Sequence, residues 1–280
     1  MSARKPVNAR RGSTTHKASL GQNFLVDAGA ARKIVDASGD ISSSTVIEIG
    51  AGRGALTQLL AQRAGFLIAT ELDEMLAQQL RAAYEGKESI EIVRANFLQV
   101  SIRELLSRAQ IGPLRVKVVG NIPYYITSDI VLHLLKQHEL IETAVLMVQK
   151  EVADRLAAEP GSRDYGLLTV TTRLFADVER LFTLPPSAFS PPPRVYSTVV
   201  RLKMNPRAEQ LAVEAEEFLQ FCKLAFAQKR KTLFNNLRGT YGDRLREELN
   251  RQEISADVRA EALSLEQLAA TYRGLSSMPQ

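Results

Sequence analysis

Short β-branched runs alternate with stretches of helical periodicity through the first two-thirds of the chain. Val46-Ile47-Glu48-Ile49, Phe66 to Glu71, Ile90-Glu91-Ile92-Val93, Val116 to Val119 and Ala144 to Val148 read as strands. Apolar positions three and four apart predict helices from about Ala55 to Ala64, from Glu74 to Tyr84, and over roughly Ala28 to Ala37. This alternation is the signature of an α/β chain with a mainly parallel sheet and crossover helices. Val178 to Leu184 and Ser197 to Leu202 are expected to close the sheet as a hairpin around a Pro-rich loop (Pro185, Pro186, Pro191, Pro192, Pro193). The pattern changes after Lys203-Met204-Asn205-Pro206. From Leu211 onward it is helical only, with Phe218, Phe221, Cys222, Ala225 and Phe226 at helical spacing. The expected division is a small all-helical domain over 206–280, an α/β domain over 18–205, and an arm over 1–17.

The arm stands out by charge. The 280 residues carry a net charge of +5 from 36 basic and 31 acidic residues. Five of the basic residues (Arg4, Lys5, Arg10, Arg11, Lys17) and none of the acids lie in the first 17 positions, so the body is balanced at 31 of each sign. A polyanion such as nucleic acid is therefore a reasonable partner, met either by a solvated arm or by one that touches phosphates. The arm lacks the apolar centre of a secretory signal. It is Arg-containing and acid-free like a mitochondrial presequence, but has almost no large apolar residues for an amphipathic face. No apolar stretch approaches the ~20 residues that span a bilayer. The single cysteine, Cys222, excludes a disulfide framework and suits a reducing compartment; a cytoplasmic protein is expected. Its helical spacing makes it a core residue. His16, His133 and His138 stand at no metal-ligand spacing, so no metal is implied, and no Ser-His nucleophile pattern is present.

Gly50-Ala51-Gly52-Arg53-Gly54 falls where the first strand should give way to a helix. Glycine there permits positive φ and lets a ligand approach the backbone. Glu71 ends the next strand, where a carboxylate can accept both hydroxyls of an adenosine ribose. Gly50, Gly52 and Ala55 also satisfy the relaxed dinucleotide fingerprint, so a nicotinamide or flavin enzyme stays open. The third glycine at Gly54 and the acid at Glu48 favour S-adenosylmethionine. Asn121-Ile122-Pro123-Tyr124-Tyr125 follows the fourth strand, on the same edge of the sheet. These residue types suit methylation of an exocyclic amine on a base. The Asn121 oxygen and a backbone carbonyl at Ile122 or Pro123 would hold the amine hydrogens, so that the nitrogen lone pair points at the methyl donor. Pro123 would fix the backbone and Tyr124 would stack on an unstacked base.

On these and further motifs the chain closely resembles the small-subunit ribosomal RNA adenine dimethyltransferases, over nearly its whole length. The motifs are Gly21-Gln22-Asn23-Phe24-Leu25, Glu48 to Gly52, Glu71-Leu72-Asp73, Asn121 to Tyr124, Gln149 to Leu156, Phe189-Ser190-Pro191-Pro192-Pro193-Arg194-Val195, and Ala225-Phe226 through Leu233 with Asn236-Leu237. The resemblance implies a Rossmann-like class I methyltransferase core, with a mostly parallel seven-stranded sheet, and a small all-helical C-terminal domain that helps engage the ribosomal particle. It implies transfer of methyl groups from S-adenosylmethionine to N6 of two adjacent adenines near the 3′ end of the small-subunit rRNA, in an immature subunit late in assembly, by a monomer. Cofactor contacts would fall to Gln22, Asn23, Leu25, Gly50, Gly52, Glu71, Leu72, Asn96, Phe97 and Asn121. Asn121, Pro123 and Tyr124 would carry the chemistry, with Phe189 a second aromatic face for the target base. Lys229, Arg230 and Lys231, near Arg238, would contact RNA. The chain departs from the pattern at Asn96, where the family usually has an acid that reads the adenine amine, so weaker donor binding is expected. Tyr125 stands where some members have Asn, and Asp129 where Pro is frequent. Two other readings remain: a large-subunit rRNA adenine methyltransferase, which shares the N-x-P-[YF] loop, and a non-catalytic small-subunit assembly factor.

Overall fold

The computed structural model describes residues 23–112 and 114–277. The basic arm of residues 1–17 and Gln22 lie outside the described residues. A two-residue strand, β1 (Phe24–Leu25), leads into α1 (Ala28–Asp36), whose first turn is capped by the Asp27 carboxylate accepting from the Gly29 and Ala30 N–H groups. The main sheet is built from β2 (Thr45–Ile49), β3 (Phe66–Glu71), β4 (Ile90–Arg94), β5 (Val116–Asn121), β6 (Ile141–Gln149), β7 (Ala176–Leu184) and, after the short β8 (Phe189–Ser190), β9 (Ser197–Met204). Its order is β4-β3-β2-β5-β6-β9-β7, and only β9 runs antiparallel to its neighbours. The expected closing hairpin is present, with Leu184 paired to Ser197 and Ala176 to Met204.

Helices α2 (Thr57–Arg63), α3 (Glu74–Ala83), α4 (Ile102–Arg108), α5 (Thr127–Leu135), α6 (Lys150–Leu156) and α7 (Leu167–Phe175) form the connections. Because they cover both faces, β2 is buried at all five positions, Glu48 included. One face packs Ile47, Ile49, Ile68, Val118 and Leu146 against α4 and α5; the other packs Val46, Leu67, Val119 and Val145 toward α1 and α2. After Met204 the elements are helical: α8 (Ala215–Ala225), α9 (Leu233–Tyr241), α10 (Asp243–Arg251) and α11 (Leu265–Ser277). Their core is continuous with the preceding chain. α7 gives Leu168 to the sheet core and Val170 and Leu174 to the C-terminal one, where Tyr165 also packs. No helix among the described residues is long and apolar enough to cross a membrane.

Chain direction across the sheet reverses between β2, followed outward by β3 and β4, and β5, followed by β6. At such a reversal the loops leaving the two strands splay apart and open a crevice at the carboxyl edge. Gly120 lets β2 and β5 approach beside it. A Cβ there would lie 2.9 Å from Ile122 Cδ1 and 3.0 Å from the Ile49 carbonyl oxygen. Gly120→Ala is therefore expected to cost about 1–3 kcal/mol, read as a lower urea midpoint with an unchanged slope. An unchanged midpoint would show that the strands can separate without cost.

Candidate active site

The crevice is a cleft of about 1040 Å³, its mouth included. Four loops at the carboxyl edge line it: Gly50–Arg53 after β2, Leu72 after β3, Ala95–Phe97 after β4, and Ile122–Ile126 after β5. Asn23, Phe24 and Leu25 complete the wall. They are held by antiparallel pairing of β1 with β8, Leu25 opposite Phe189, and by the Val26 N–H donating to the Ala188 carbonyl.

Glu71 organises the glycine turn. Its Oε2 accepts from the Gly52 N–H at 2.7 Å and its Oε1 from the Asp73 N–H at 2.8 Å. Each carboxylate oxygen offers two accepting directions, so each retains one for a ligand. Gly50 and Gly52 both have positive φ, 69° and 56°, and a Cβ on Gly52 would press on the Phe24 ring at 3.3 Å. The turn thus requires glycine for conformation and for the aromatic wall. Asn96 accepts from the Leu98 N–H at 3.1 Å through Oδ1, capping the turn that holds Phe97 in the cleft wall. One further accepting direction remains on that oxygen.

The loop after β5 is held at three points. Asn121 Nδ2 donates to the Asn23 carbonyl at 3.0 Å. A carbonyl can only accept, so this bond fixes which end of the amide is nitrogen and turns Oδ1 away from Asn23. The Ile122 N–H donates to the Met147 carbonyl of β6. The Pro123 carbonyl accepts from the Ile126 N–H at 3.2 Å and the Thr127 hydroxyl at 3.3 Å, whereas among the described residues no such bond ends on the Ile122 carbonyl. Of the two carbonyls considered from the sequence, Ile122 is the one left to accept. Tyr124 is part-buried, and its hydroxyl lies 2.5 Å from Ser197 Oγ at the start of β9. Burial raises the Tyr124 phenol above its ordinary range.

The structure therefore brings Asn23, Leu25, Gly50, Gly52, Glu71, Leu72, Asn96, Phe97, Asn121, Pro123 and Tyr124 to one cleft. Phe189 is elsewhere: it is buried with Leu25 and Ala188, outside the cleft lining. Lys229, Arg230 and Lys231 lie between α8 and α9, where Lys229 Nζ donates to the Arg163 carbonyl at 2.7 Å. No cluster of metal-ligating side chains occurs among the described residues. His133 and His138 instead contact the Val100 and Leu135 carbonyls. Sequence reasoning did not reach Ser197, which lies 73 positions from Tyr124, nor the carbonyl role of Asn23.

Glu48 behaves differently from Glu71. Both acids line the cleft and are buried, but Glu71 accepts from two backbone N–H groups, whereas burial pushes the Glu48 carboxyl up to about 7. The adjacent Thr57 hydroxyl and N–H oppose that rise, and the charge of Glu71 adds to it. Neither Glu48 Oε2 nor Thr57 Oγ1 completes a hydrogen bond among the described residues.

Residues 13–276 match the family model described as ribosomal RNA adenine dimethylase. A ribosomal RNA small subunit methyltransferase A from Koribacter versatilis is 55% identical over 269 residues, covering 92% of this chain and 94% of that protein. Among solved structures, a dimethyladenosine transferase from Plasmodium falciparum superposes with TM-score 0.72 at 25% identity, covering 89% of this chain and 95% of the other. The 23S rRNA methyltransferase ErmE superposes with TM-score 0.69 at 28% identity, covering 91% and 100%.

Glu48 makes stability depend on pH. Its folded carboxyl titrates near 7 against 4.5 for an ordinary glutamate, so the unfolded chain ionises first. Between those values the folded state binds more protons, and stability falls as pH rises; above about 7 the loss is complete, on the order of 3 kcal/mol. Glu48→Gln should remove this dependence, so that its stability relative to the parent rises from pH 5 to pH 7 and then levels. Parallel unfolding curves at all pH values would reject that account.

Proposed function

The chain belongs to the ribosomal RNA adenine dimethylase family, and from that premise we propose that the cleft binds S-adenosylmethionine and that the Asn121 loop presents an rRNA adenine to it. The observation that carries the reading is the tethered Asn121 amide, its Oδ1 without a partner among the described residues, in a cleft that also holds Glu71. The cleft's residues fit an adenosine. The open directions on Glu71 suit a ribose diol, Leu72 and Phe97 can sandwich an adenine, and the glycine turn leaves room for the chain beyond it. When bound, S-adenosylmethionine supplies an electrophilic methyl group on a sulfonium.

The protein's share of the chemistry is alignment. An exocyclic adenine amine is a poor nucleophile because its lone pair is delocalised into the ring. Asn121 Oδ1 and the Ile122 carbonyl accept its two hydrogens and favour a pyramidal nitrogen with the lone pair out of the ring plane. Tyr124, steadied by Ser197, stacks on the base, which must leave its helix to arrive. An alkylated amine is acidic and loses its proton to water, so no side chain titrating near neutrality has to act as a base. The rate then comes from positioning and from fixed dipoles. After the first transfer one hydrogen remains, and rotation about the C–N bond can bring it to the same acceptor for the second.

The substrate we assign is a pair of adjacent adenines near the 3′ end of small-subunit rRNA in an immature particle, engaged by a monomer in the cytoplasm. Residues 18–205 would act as the catalytic part and 206–280, with Lys229, Arg230 and Lys231, as a docking part. Undermethylated small and large subunits incubated together with labelled donor should yield dimethyladenosine in the small-subunit rRNA. Label in the large subunit only would favour the alternative raised by the ErmE likeness, and absence of label with folded protein would reject both. Asn121→Ala is expected to keep donor affinity within about tenfold while losing at least about a hundredfold in transfer rate. Glu71→Gln should weaken donor binding by about tenfold in calorimetry. Unchanged turnover in the first, or unchanged affinity in the second, would reject the assigned roles.

A further inference from the structure

Large apolar side chains are seldom left in water, and the few exposed here are unevenly placed. Eight are exposed among the described residues: Leu72 and Tyr125 line the active-site cleft, Val26 follows the lining residue Leu25, and Val195 and Tyr196 lead into Ser197, which touches Tyr124 of the lining. The two tyrosines are 59% and 54% exposed. They flank the hydroxyl contact that holds Tyr124, since Tyr125 follows Tyr124 and Tyr196 precedes Ser197. Tyr196 is fixed by its carbonyl, which accepts from the Lys150 N–H at 2.9 Å at the end of β6. Charge accompanies the aromatics. Arg194 is exposed two positions before Tyr196, and in the cleft lining the Arg53 guanidinium lies 4.3 Å over the Phe24 ring. Neither arginine is in an ion pair among the described residues.

We propose that Tyr125 and Tyr196 form an aromatic shelf outside the cleft on which the unpaired nucleotides flanking the target adenine stack, their phosphates facing Arg194 and Arg53. This rests on the reading of the cleft as an rRNA adenine site. A base inserted beside Tyr124 leaves its two neighbours in the strand at the mouth, where these side chains stand. Rings stack on any base, and unpaired guanidinium groups suit the intervening phosphates. The shelf would recognise an unstacked strand and not a sequence, complementing a cleft that selects adenine.

The test uses the full chain and undermethylated small subunits. Tyr196→Ala should raise the RNA KM about tenfold, and Tyr125→Ala by a similar factor. Tyr196→Phe and Tyr196→Trp should restore the parent value, whereas Tyr196→Leu should not, because a planar ring is needed. The chain has no tryptophan, so Tyr196→Trp carries the sole indole. Its emission should be quenched on titration with protein-free small-subunit rRNA, in step with filter-retained binding. An unchanged KM in Tyr196→Ala, full rescue by leucine, or unaltered indole emission at saturating RNA would overturn the shelf. Failure of the unsubstituted chain to label any rRNA would instead overturn the reading of the cleft, and the shelf with it.

Discussion

The hydrogen bond from the Asn121 amide to the Asn23 carbonyl sets which end of that side chain is available in the cleft. An unrestrained carboxamide can present either nitrogen or oxygen to a ligand, and the two are nearly the same shape. Only the oxygen can accept from an amine. Tying the nitrogen to a main-chain acceptor settles the choice before substrate arrives, so no binding energy is spent on ordering it. The rest of the fold serves this contact. β5, lying between β2 and β6, brings the half-buried Asn121 to the carboxyl end of the sheet, and the pairing of β1 with β8 holds the neighbouring Asn23 beside it.

The two acids at the ends of neighbouring strands show how placement sets charge. Glu71 meets two backbone N–H groups and keeps acceptor capacity for a ligand. Glu48, on the neighbouring β2, has its Oε2 without a hydrogen-bond partner among the described residues, and burial keeps its carboxyl protonated up to about 7. Two ionised carboxylates at this spacing would repel. Below about 7 a protonated Glu48 therefore adds no negative charge beside the Glu71 oxygens that accept from the Gly52 and Asp73 N–H groups.

Much of this was legible in the sequence, for identifiable reasons. The strands of a parallel sheet are apolar on both faces and bounded by turns, which is why Val46 to Ile49 and Val116 to Val119 were found within a residue or two of their observed limits. The Gly50–Gly54 turn and the Asn121–Tyr124 loop were visible because chemistry at a sheet edge needs particular residue types at fixed distances from a strand. β1 and β8 were not, since a pair of two-residue strands has no periodicity to detect. Ser197 carries no local mark either, and its meaning comes only from a tyrosine brought to it by the sheet. The burial of Phe189 beside Leu25, outside the cleft lining, was likewise not visible from its motif. That the following helical turn engages the Pro123 carbonyl was also not visible without the structure.

The β1–β8 pair joins segments about 165 positions apart in the chain. The cleft therefore has no wall on that side until residues 189 and 190 have been synthesised and folded back onto Phe24 and Leu25. During translation the glycine turn, Glu71 and Asn121 all emerge earlier, yet the amide of Asn121 gains its tether only when the first strand is clamped. A growing chain would thus pass through most of its length without a finished site and acquire one within a few residues of the Pro-rich loop.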